Sequence, residues 1–213
     1  MSSTNDSLPV VVLISGNGSN LQVLIDRADE LGIDIRAVVS NREGAFGLER
    51  ARQAGIAAEV LLPRDYGSRD DYDAALAEHI RAYSPGLVVL AGFMRILSPA
   101  FVQAFAGRML NIHPSLLPKY RGLNPHARVL ENGDTEHGAS VHFVTEELDG
   151  GPVLIQQKIA VSSSDDEQSL ARRVQVLEHE IYPRAVALFA SGRVKMRDQA
   201  IELDGKPLAA PLD

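Results

Sequence analysis

The apolar positions of the first half fall into short runs of branched residues separated by helical stripes. Val10–Ile14 is an unbroken apolar run, as a strand covered on both faces requires. Between Ser19 and Leu31 the residues Leu21, Leu24, Ile25, Ala28 and Leu31 follow the i, i+3, i+4, i+7 spacing of an amphipathic helix. The alternation continues with a strand over Ile33–Val39, a helix over Phe46–Ala54 that Gly55 ends, and a strand over Ala57–Leu62. A helix follows from Ser68 to about Tyr83, then a strand over Leu87–Ala91, a short helix from Ser98 to about Ala106, and a strand over Met109–His113. Ser68 with Asp71 is a capping pair, and Pro99 takes the first helical position after Ser98. This repetition predicts an α/β fold built on a doubly wound, mostly parallel twisted sheet.

After His113 the rhythm changes. A long loop with Pro and Gly runs from Pro114 to Pro125, and a helix from about His126 to Glu131 ends at an Asn132-Gly133 turn. Ala139–Thr145 and Pro152–Val161 read as an antiparallel pair at the sheet edge, flanking the loop from Glu146 to Gly151. The longest helical segment spans Asp166 to about Phe189, where Pro183 is expected to end or kink it. Val194–Met196 and Ile201–Leu203 suggest a terminal hairpin, with the last six residues expected to fray. No repeat or linker divides the chain, so residues 1–213 are expected to form one domain.

Composition narrows the function. The chain has 213 residues, 45% of them hydrophobic, enough for a sizeable core. With 21 basic and 28 acidic side chains the net charge is −7, which argues against general binding of nucleic acid or anionic membrane. The absence of Cys excludes disulfides, thiol nucleophiles, iron–sulfur clusters and Cys-ligated zinc. No apolar run approaches a membrane span, and the polar stretch 1–7 does not read as a signal peptide, so a soluble cytoplasmic protein is expected.

Three motifs could carry chemistry. Ser15-Gly16-Asn17-Gly18-Ser19-Asn20 lies between the first strand and helix, where glycines admit close approach and helix-start N–H groups attract anions. It lacks the third glycine of a dinucleotide fingerprint (Leu21 stands there), so it reads as a cradle for one phosphate, or else as a plain tight turn. Asn111 and His113 are two apart near the end of a strand, and therefore on one face at the edge where open α/β sheets bind ligands. An amide donor beside an imidazole suits a reaction that builds charge on a carbonyl oxygen and moves a proton. In isolation, a strand-end His is more often structural. Asp149-Gly150 is by itself only a turn signal, but a carboxylate near His113 would orient the imidazole and raise it toward the protonated form. The remaining His residues, including His142, show no partner spacing, and no metal-ligand set is visible. Arg69, Arg95, Lys119 and Arg121 are by default solvated cations.

Gly16 to Gln22, Ala91 to Leu97, Asn111 to Lys119, Glu131 to Asp134 and Asp149 to Pro152 together resemble the folate-dependent formyltransferases, in particular the branch that formylates glycinamide ribonucleotide in purine synthesis. The resemblance runs in order from about Val10 to Phe189 and implies a Rossmann-like formyltransferase fold. Its implied halves are about 8–113 for phosphate binding and about 114–205 for folate binding and catalysis. It implies formyl transfer from 10-formyltetrahydrofolate to the ribonucleotide amine, with Asn111, His113 and Asp149 as the catalytic trio. Gly18, Ser19, Asn20, Gln175 and Glu178 are implied to hold the ribonucleotide. Arg69, Met94, Arg95, Ile96, Leu97, Thr145, Glu146, Glu147 and Leu148 are implied, with Asn111 and Asp149, to hold the folate. In the implied mechanism Asn111 and a protonated His113 donate to the oxyanion, and Asp149 favours the imidazolium and helps relay a proton to the leaving folate nitrogen. The implied partners are small molecules, with no metal, nucleic acid or membrane, in a monomer or homodimer.

The loop Tyr120-Arg121-Gly122-Leu123-Asn124-Pro125-His126 departs from the family's commoner P-G-L-H-T-H, and Arg121 resembles the transfer-RNA branch. The alternatives are another folate-dependent formyltransferase, a formyltetrahydrofolate hydrolase, or a non-catalytic binder of a phosphorylated ligand.

Overall fold

The computed structural model describes residues 7–213; the polar start over 1–6, part of the stretch read as lacking a leader, lies outside the described residues. The first half follows the expected alternation: β1 (Leu8–Ile14), α1 (Ser19–Asp26), α2 (Ala28–Leu31), β2 (Ile33–Ser40), α3 (Phe46–Gln53), β3 (Ala57–Val60), α4 (Arg69–Arg81), β4 (Leu87–Leu90), α5 (Pro99–Ala104) and β5 (Met109–His113). The second half contains α6 (Pro125–Asn132), β6 (Glu136–Phe143), β7 (Val153–Ala160), α7 (Glu167–Ala190), β8 (Val194–Arg197), β9 (Ala200–Leu203) and β10 (Lys206–Pro207). Seven strands form one sheet in the order β3-β2-β1-β4-β5-β6-β7, parallel from β3 to β5 and antiparallel from β5 to β7. The α/β class, the parallel sheet and its antiparallel edge match the expectation.

The unbroken apolar character of β1 has a direct cause. Val10, Val12 and Ile14 pack with Leu21, Leu24, Leu48 and Val174 on one face, whereas Val11 and Leu13 pack with Tyr72, Leu76, Ile80 and Phe101 on the other. Both faces of the sheet are therefore covered, by α1, α3 and α7 on one side and α4 and α5 on the other. The neighbours β1 and β4 flank the point where the strand order reverses, and their C-terminal ends open the crevice in which such sheets bind ligands.

Three local expectations need correction. The helix over 19–31 is divided at Arg27, which leaves helical geometry with φ −115° and ψ 11°. Pro183 does not end α7, which runs for 24 residues through it. Burial of Ile181, Tyr182, Ala185 and Val186 around the proline, and the Tyr182 hydroxyl donating to the carbonyls of Leu90 and Leu110, hold the helix against the sheet. That packing outweighs the roughly 3 kcal/mol an interior proline costs. The C-terminus is not frayed either. Leu212 donates to Leu154 O at 2.9 Å and accepts from Gln156 N at 2.8 Å, so the tail pairs with the exposed edge of β7. An unpaired strand edge offers a row of backbone donors and acceptors, and the tail occupies part of it.

Candidate active site

The site is built from the C-terminal ends of β1, β4 and β5 and from two loops of the second half. β5 presents Asn111 and His113 on the same face, as their spacing requires. The loop between β6 and β7 brings in Asp149, in the left-handed region at φ 48°. This loop is anchored at Gly151, where an added Cβ would lie 1.9 Å from the Phe143 carbonyl oxygen.

His113, 7% exposed, has both ring nitrogens directed at oxygens. Nδ1 lies 3.4 Å from Asp149 Oδ2, and Nε2 lies 2.9 Å from the backbone oxygen of Tyr120. Burial is the largest influence on the imidazole and pushes its pKa down; Asp149 and the Tyr120 carbonyl pull upward without cancelling it. The upward pull expected of Asp149 is present, and burial acts against it. Burial also pushes the Asp149 carboxyl up, but His142, His113 and the Gly122 N–H more than offset it and hold the group below the usual carboxylate range. Gly122 N donates to Asp149 Oδ2 at 2.9 Å, and Arg121 pairs with Glu147, so the loop after β5 is tied twice to the loop after β6.

His142 joins the site without any signal in the sequence. Its position next to the last residue of β6 sets it opposite Asn111 in the register. Asn111 Nδ2 donates to His142 Nε2 at 3.0 Å, His142 Nδ1 donates to Phe143 O at 2.9 Å, and Nε2 stands 3.6 Å from Asp149 Oδ1. This pattern is that of the Nδ1–H tautomer. His142 thus joins the amide and the carboxylate of the expected trio. Only a strand-pairing register, which no single-sequence signal encodes, could have revealed it.

The folate candidates converge as well. Arg95, Ile96, Leu97, Thr145, Glu146, Glu147, Leu148 and Asp149 line a narrow cavity of about 80 Å³ together with Asn111 and His142. Arg69 donates to Leu97 O at 2.6 Å, bracing that wall rather than standing free in solvent. Arg95 stacks over Tyr72 at 4.5 Å, and its Nε is buried without a partner among the described residues, a donor a polar-edged flat heterocycle could satisfy. A larger cleft of about 580 Å³ adjoins this cavity and carries Met94, Asn111, His113, Asn124, His126 and Asp149. Met94 N donates to Ser15 Oγ at 2.7 Å, which joins the cleft to the glycine loop.

At that loop Gly18 is the N-terminal residue before α1, at φ 73°, where a Cβ would lie 2.8 Å from the Gly47 Cα. Among the described residues no side chain caps α1, so its first N–H groups are available to an anion. The long helix α7 crosses this end. Gln175 Nε2 donates to Ser19 Oγ at 2.9 Å, and Asn20 Nδ2 donates to Glu178 Oε2 at 2.7 Å. Burial pushes the Glu178 carboxyl up, with the Asn20 bond opposing it. All five expected ribonucleotide residues are therefore neighbours, although more than 150 residues separate the two sequence segments. Lys119, read as a solvated cation, is exposed as expected and pairs at the surface with Asp134 at 2.9 Å.

A cleft at the switch point of a doubly wound sheet carries an Asn–His–Asp cluster and is joined to the glycine loop before α1 by the Met94–Ser15 bond, an arrangement suited to a group-transfer enzyme. Residues 8–186 match the formyl transferase family, and the chain belongs to it. It is 59% identical over 201 residues to the phosphoribosylglycinamide formyltransferase of Escherichia coli (strain K12), covering 93% of this chain and 95% of that protein. It is 46% identical over 189 residues to the trifunctional purine biosynthetic protein adenosine-3 of Homo sapiens, covering 88% of this chain but 19% of the human one. Among solved structures, phosphoribosylglycinamide formyltransferase of Coxiella burnetii, in complex with CHES, superposes with a TM-score of 0.92 at 50% identity, covering 97% and 99% of the two chains.

Proposed function

We propose that this chain transfers the formyl group of 10-formyltetrahydrofolate to the amine of glycinamide ribonucleotide, giving N-formylglycinamide ribonucleotide and tetrahydrofolate in purine synthesis. The observation that carries the reading is the joining of His113, Asp149, Asn111 and His142 at the meeting of the narrow cavity and the larger cleft. The relatives named above support the choice of substrates.

In this reading the folate heterocycle enters the cavity walled by Arg95, Ile96, Leu97 and Thr145 to Leu148, with Arg69 supporting the wall and Met94 at the mouth. The ribonucleotide phosphate takes the N–H groups at Gly18, Ser19 and Asn20, and Gln175 and Glu178 hold the sugar side. The unprotonated amine attacks the formyl carbon, the carbonyl electron pair moves onto oxygen, and Asn111 Nδ2 stabilises that charge. His113 and Asp149 carry the proton from the attacking amine to the folate nitrogen, so that its bond to carbon can break. Burial lowers the His113 pKa, while Asp149 and the Tyr120 carbonyl pull it upward toward the imidazolium.

No helix among the described residues is long and apolar enough to cross a membrane. We place the protein in the cytoplasm, acting on small molecules as a monomer or homodimer. The test mixes purified protein with formylated tetrahydrofolate and glycinamide ribonucleotide and follows deformylation by absorbance. Turnover that requires the ribonucleotide supports the reading. Turnover without an amine indicates a hydrolase, and turnover only with another amine refutes the substrate.

A further inference from the structure

The loop between β4 and α5 supplies Phe93, Arg95, Ile96 and Leu97 to the narrow cavity. Among the described residues its backbone over 95–97 makes no backbone–backbone hydrogen bond, so side chains must hold this wall. At one end Met94 N donates to Ser15 Oγ at 2.7 Å. At the other, α4 takes both polar atoms of a single peptide unit. Arg69 Nη2 donates to Leu97 O at 2.6 Å, and Ser98 N donates to Asp73 Oδ2 at 2.6 Å. Arg69 and Asp73 are one helical turn apart on α4, with Arg69 Nε 3.9 Å from Asp73 Oδ2. Tyr72, between them in sequence, carries the Arg95 guanidinium over its ring.

Asp73 is 0% exposed, and nothing in the catalytic cluster touches it. Capping of α5 does not account for it either. That cap is the Ser98 hydroxyl, which accepts from Phe101 N at 3.3 Å, whereas Asp73 binds the N–H of Ser98 itself, ahead of the helix. A buried carboxylate is a costly acceptor for one N–H, and what it supplies in return is a short, charge-assisted bond.

We propose that Asp73 is a positioning residue for folate recognition: with Arg69 it grips the Leu97–Ser98 peptide from both edges and so sets the width of the cavity that takes the folate heterocycle. The inference rests on the formyl-transfer reading above. A trans peptide points its C=O and N–H in opposite directions, so one bond alone leaves the plane free to turn about it. Two bonds on opposite edges fix it. Leu97 on one side of that peptide and Val102 of α5 on the other both line the cavity, so a turn of the plane would move both walls. Ser19, Asn20, Gln175 and Glu178 bond to one another and not to this clamp, which leaves the ribonucleotide end independent of it.

The test separates recognition from folding. Formylated tetrahydrofolate and glycinamide ribonucleotide are each titrated calorimetrically into wild type, Asp73→Ala, Asp73→Asn and Leu76→Val, and exchange of the Ser98 amide hydrogen is followed by NMR without ligand. Asp73→Ala should weaken folate binding by about tenfold or more, as loss of a charged acceptor implies, with ribonucleotide binding within about twofold of wild type. Asp73→Asn keeps an oxygen for the Ser98 N–H but not the charge, and should fall between, at about threefold. It carries the test by itself if the alanine variant does not fold. The Ser98 amide should exchange faster in the same order. Leu76→Val thins the buried packing of the same helix and should lower the urea midpoint with both affinities unchanged. Wild-type folate affinity in a folded Asp73 variant overturns the proposal, as does equal weakening of both ligands, the mark of a merely structural role. Wild type that binds no formylated folate refutes the formyl-transfer reading and this role with it, whereas the Ser98 amide reports, with no ligand present, whether Asp73 holds the peptide.

Discussion

Asn111 on β5 and Asp149 in the loop after β6 are linked through His142, whose Nε2 accepts from the Asn111 amide at 3.0 Å and stands 3.6 Å from the Asp149 carboxylate. The proposed oxyanion donor and the proposed proton carrier are therefore mechanically coupled through a side chain 2% exposed to solvent. His142→Leu removes the acceptor of the Asn111 amide and leaves a buried donor unpaired, at a cost of about 1–3 kcal/mol. The expected outcome is a lower denaturation midpoint together with a kcat reduced about tenfold or more. Unchanged kcat in the folded variant would show that Asn111 needs no such support.

The bonds between α7 and the glycine loop predict a separation of substrate effects. Gln175→Ala and Glu178→Ala free Ser19 and Asn20 from their partners without touching the folate cavity. Each should raise KM for the ribonucleotide by about tenfold, the loss expected for a hydrogen bond to a charged or polar ligand group. KM for the formylated folate should stay within about twofold, because uniform binding of the other ligand is intact. Steady-state kinetics with each substrate varied in turn checks this.

Gly151 fixes the path of the loop that carries Asp149. A Cβ there would lie 1.9 Å from Phe143 O, backbone against backbone, so no side-chain adjustment relieves it. Gly151→Ala should therefore cost about 3 kcal/mol or more of stability and displace Asp149, as overpacking against backbone does. Chemical denaturation and the kcat of any folded fraction measure both effects.

Acid should destabilise the protein through its buried imidazoles. Burial, aided by nearby His126 and His113, pushes His137 down to about 4, and burial also lowers His126 and His113. Each folded-state pKa lies below the unfolded value near 6.5, so the unfolded chain binds more protons as pH falls and stability declines from about pH 6.5 toward 4. His137 alone contributes up to about 3 kcal/mol across that window, since each tenfold change in proton affinity is worth roughly 1.4 kcal/mol. His137→Gln, which can keep a bond to His126, should flatten the urea midpoint between pH 6.5 and 4.5; an unchanged slope would remove His137 as its source.

Much of this was legible in the sequence because periodicity reports burial. Val10–Ile14 is apolar throughout since helices cover both faces of β1, and Asn111 with His113 shares a face because β5 is a strand. The remainder depended on partners distant along the chain. Pro183 reads as a helix breaker until Tyr182 is seen bonded to β4 and β5, and the tail reads as loose until Leu212 is seen on β7. His142 had no spacing signal because its partners are set by the antiparallel register of β5 and β6. The balance at His113 could not be read from Asp149 alone, because burial acts on the ring as well.

The most direct test of the central claim compares wild type with Asp149→Asn, a change that keeps the shape at 3.4 Å from His113 and removes the charge. Formyl transfer to glycinamide ribonucleotide is measured at saturating substrates, and binding of both ligands is measured by calorimetry. The account predicts ribonucleotide-dependent turnover in wild type and a kcat lower by about 10²–10⁴ in Asp149→Asn, the range proton-transfer catalysis contributes, with dissociation constants within a few-fold of wild type. Near-normal turnover by Asp149→Asn would contradict it.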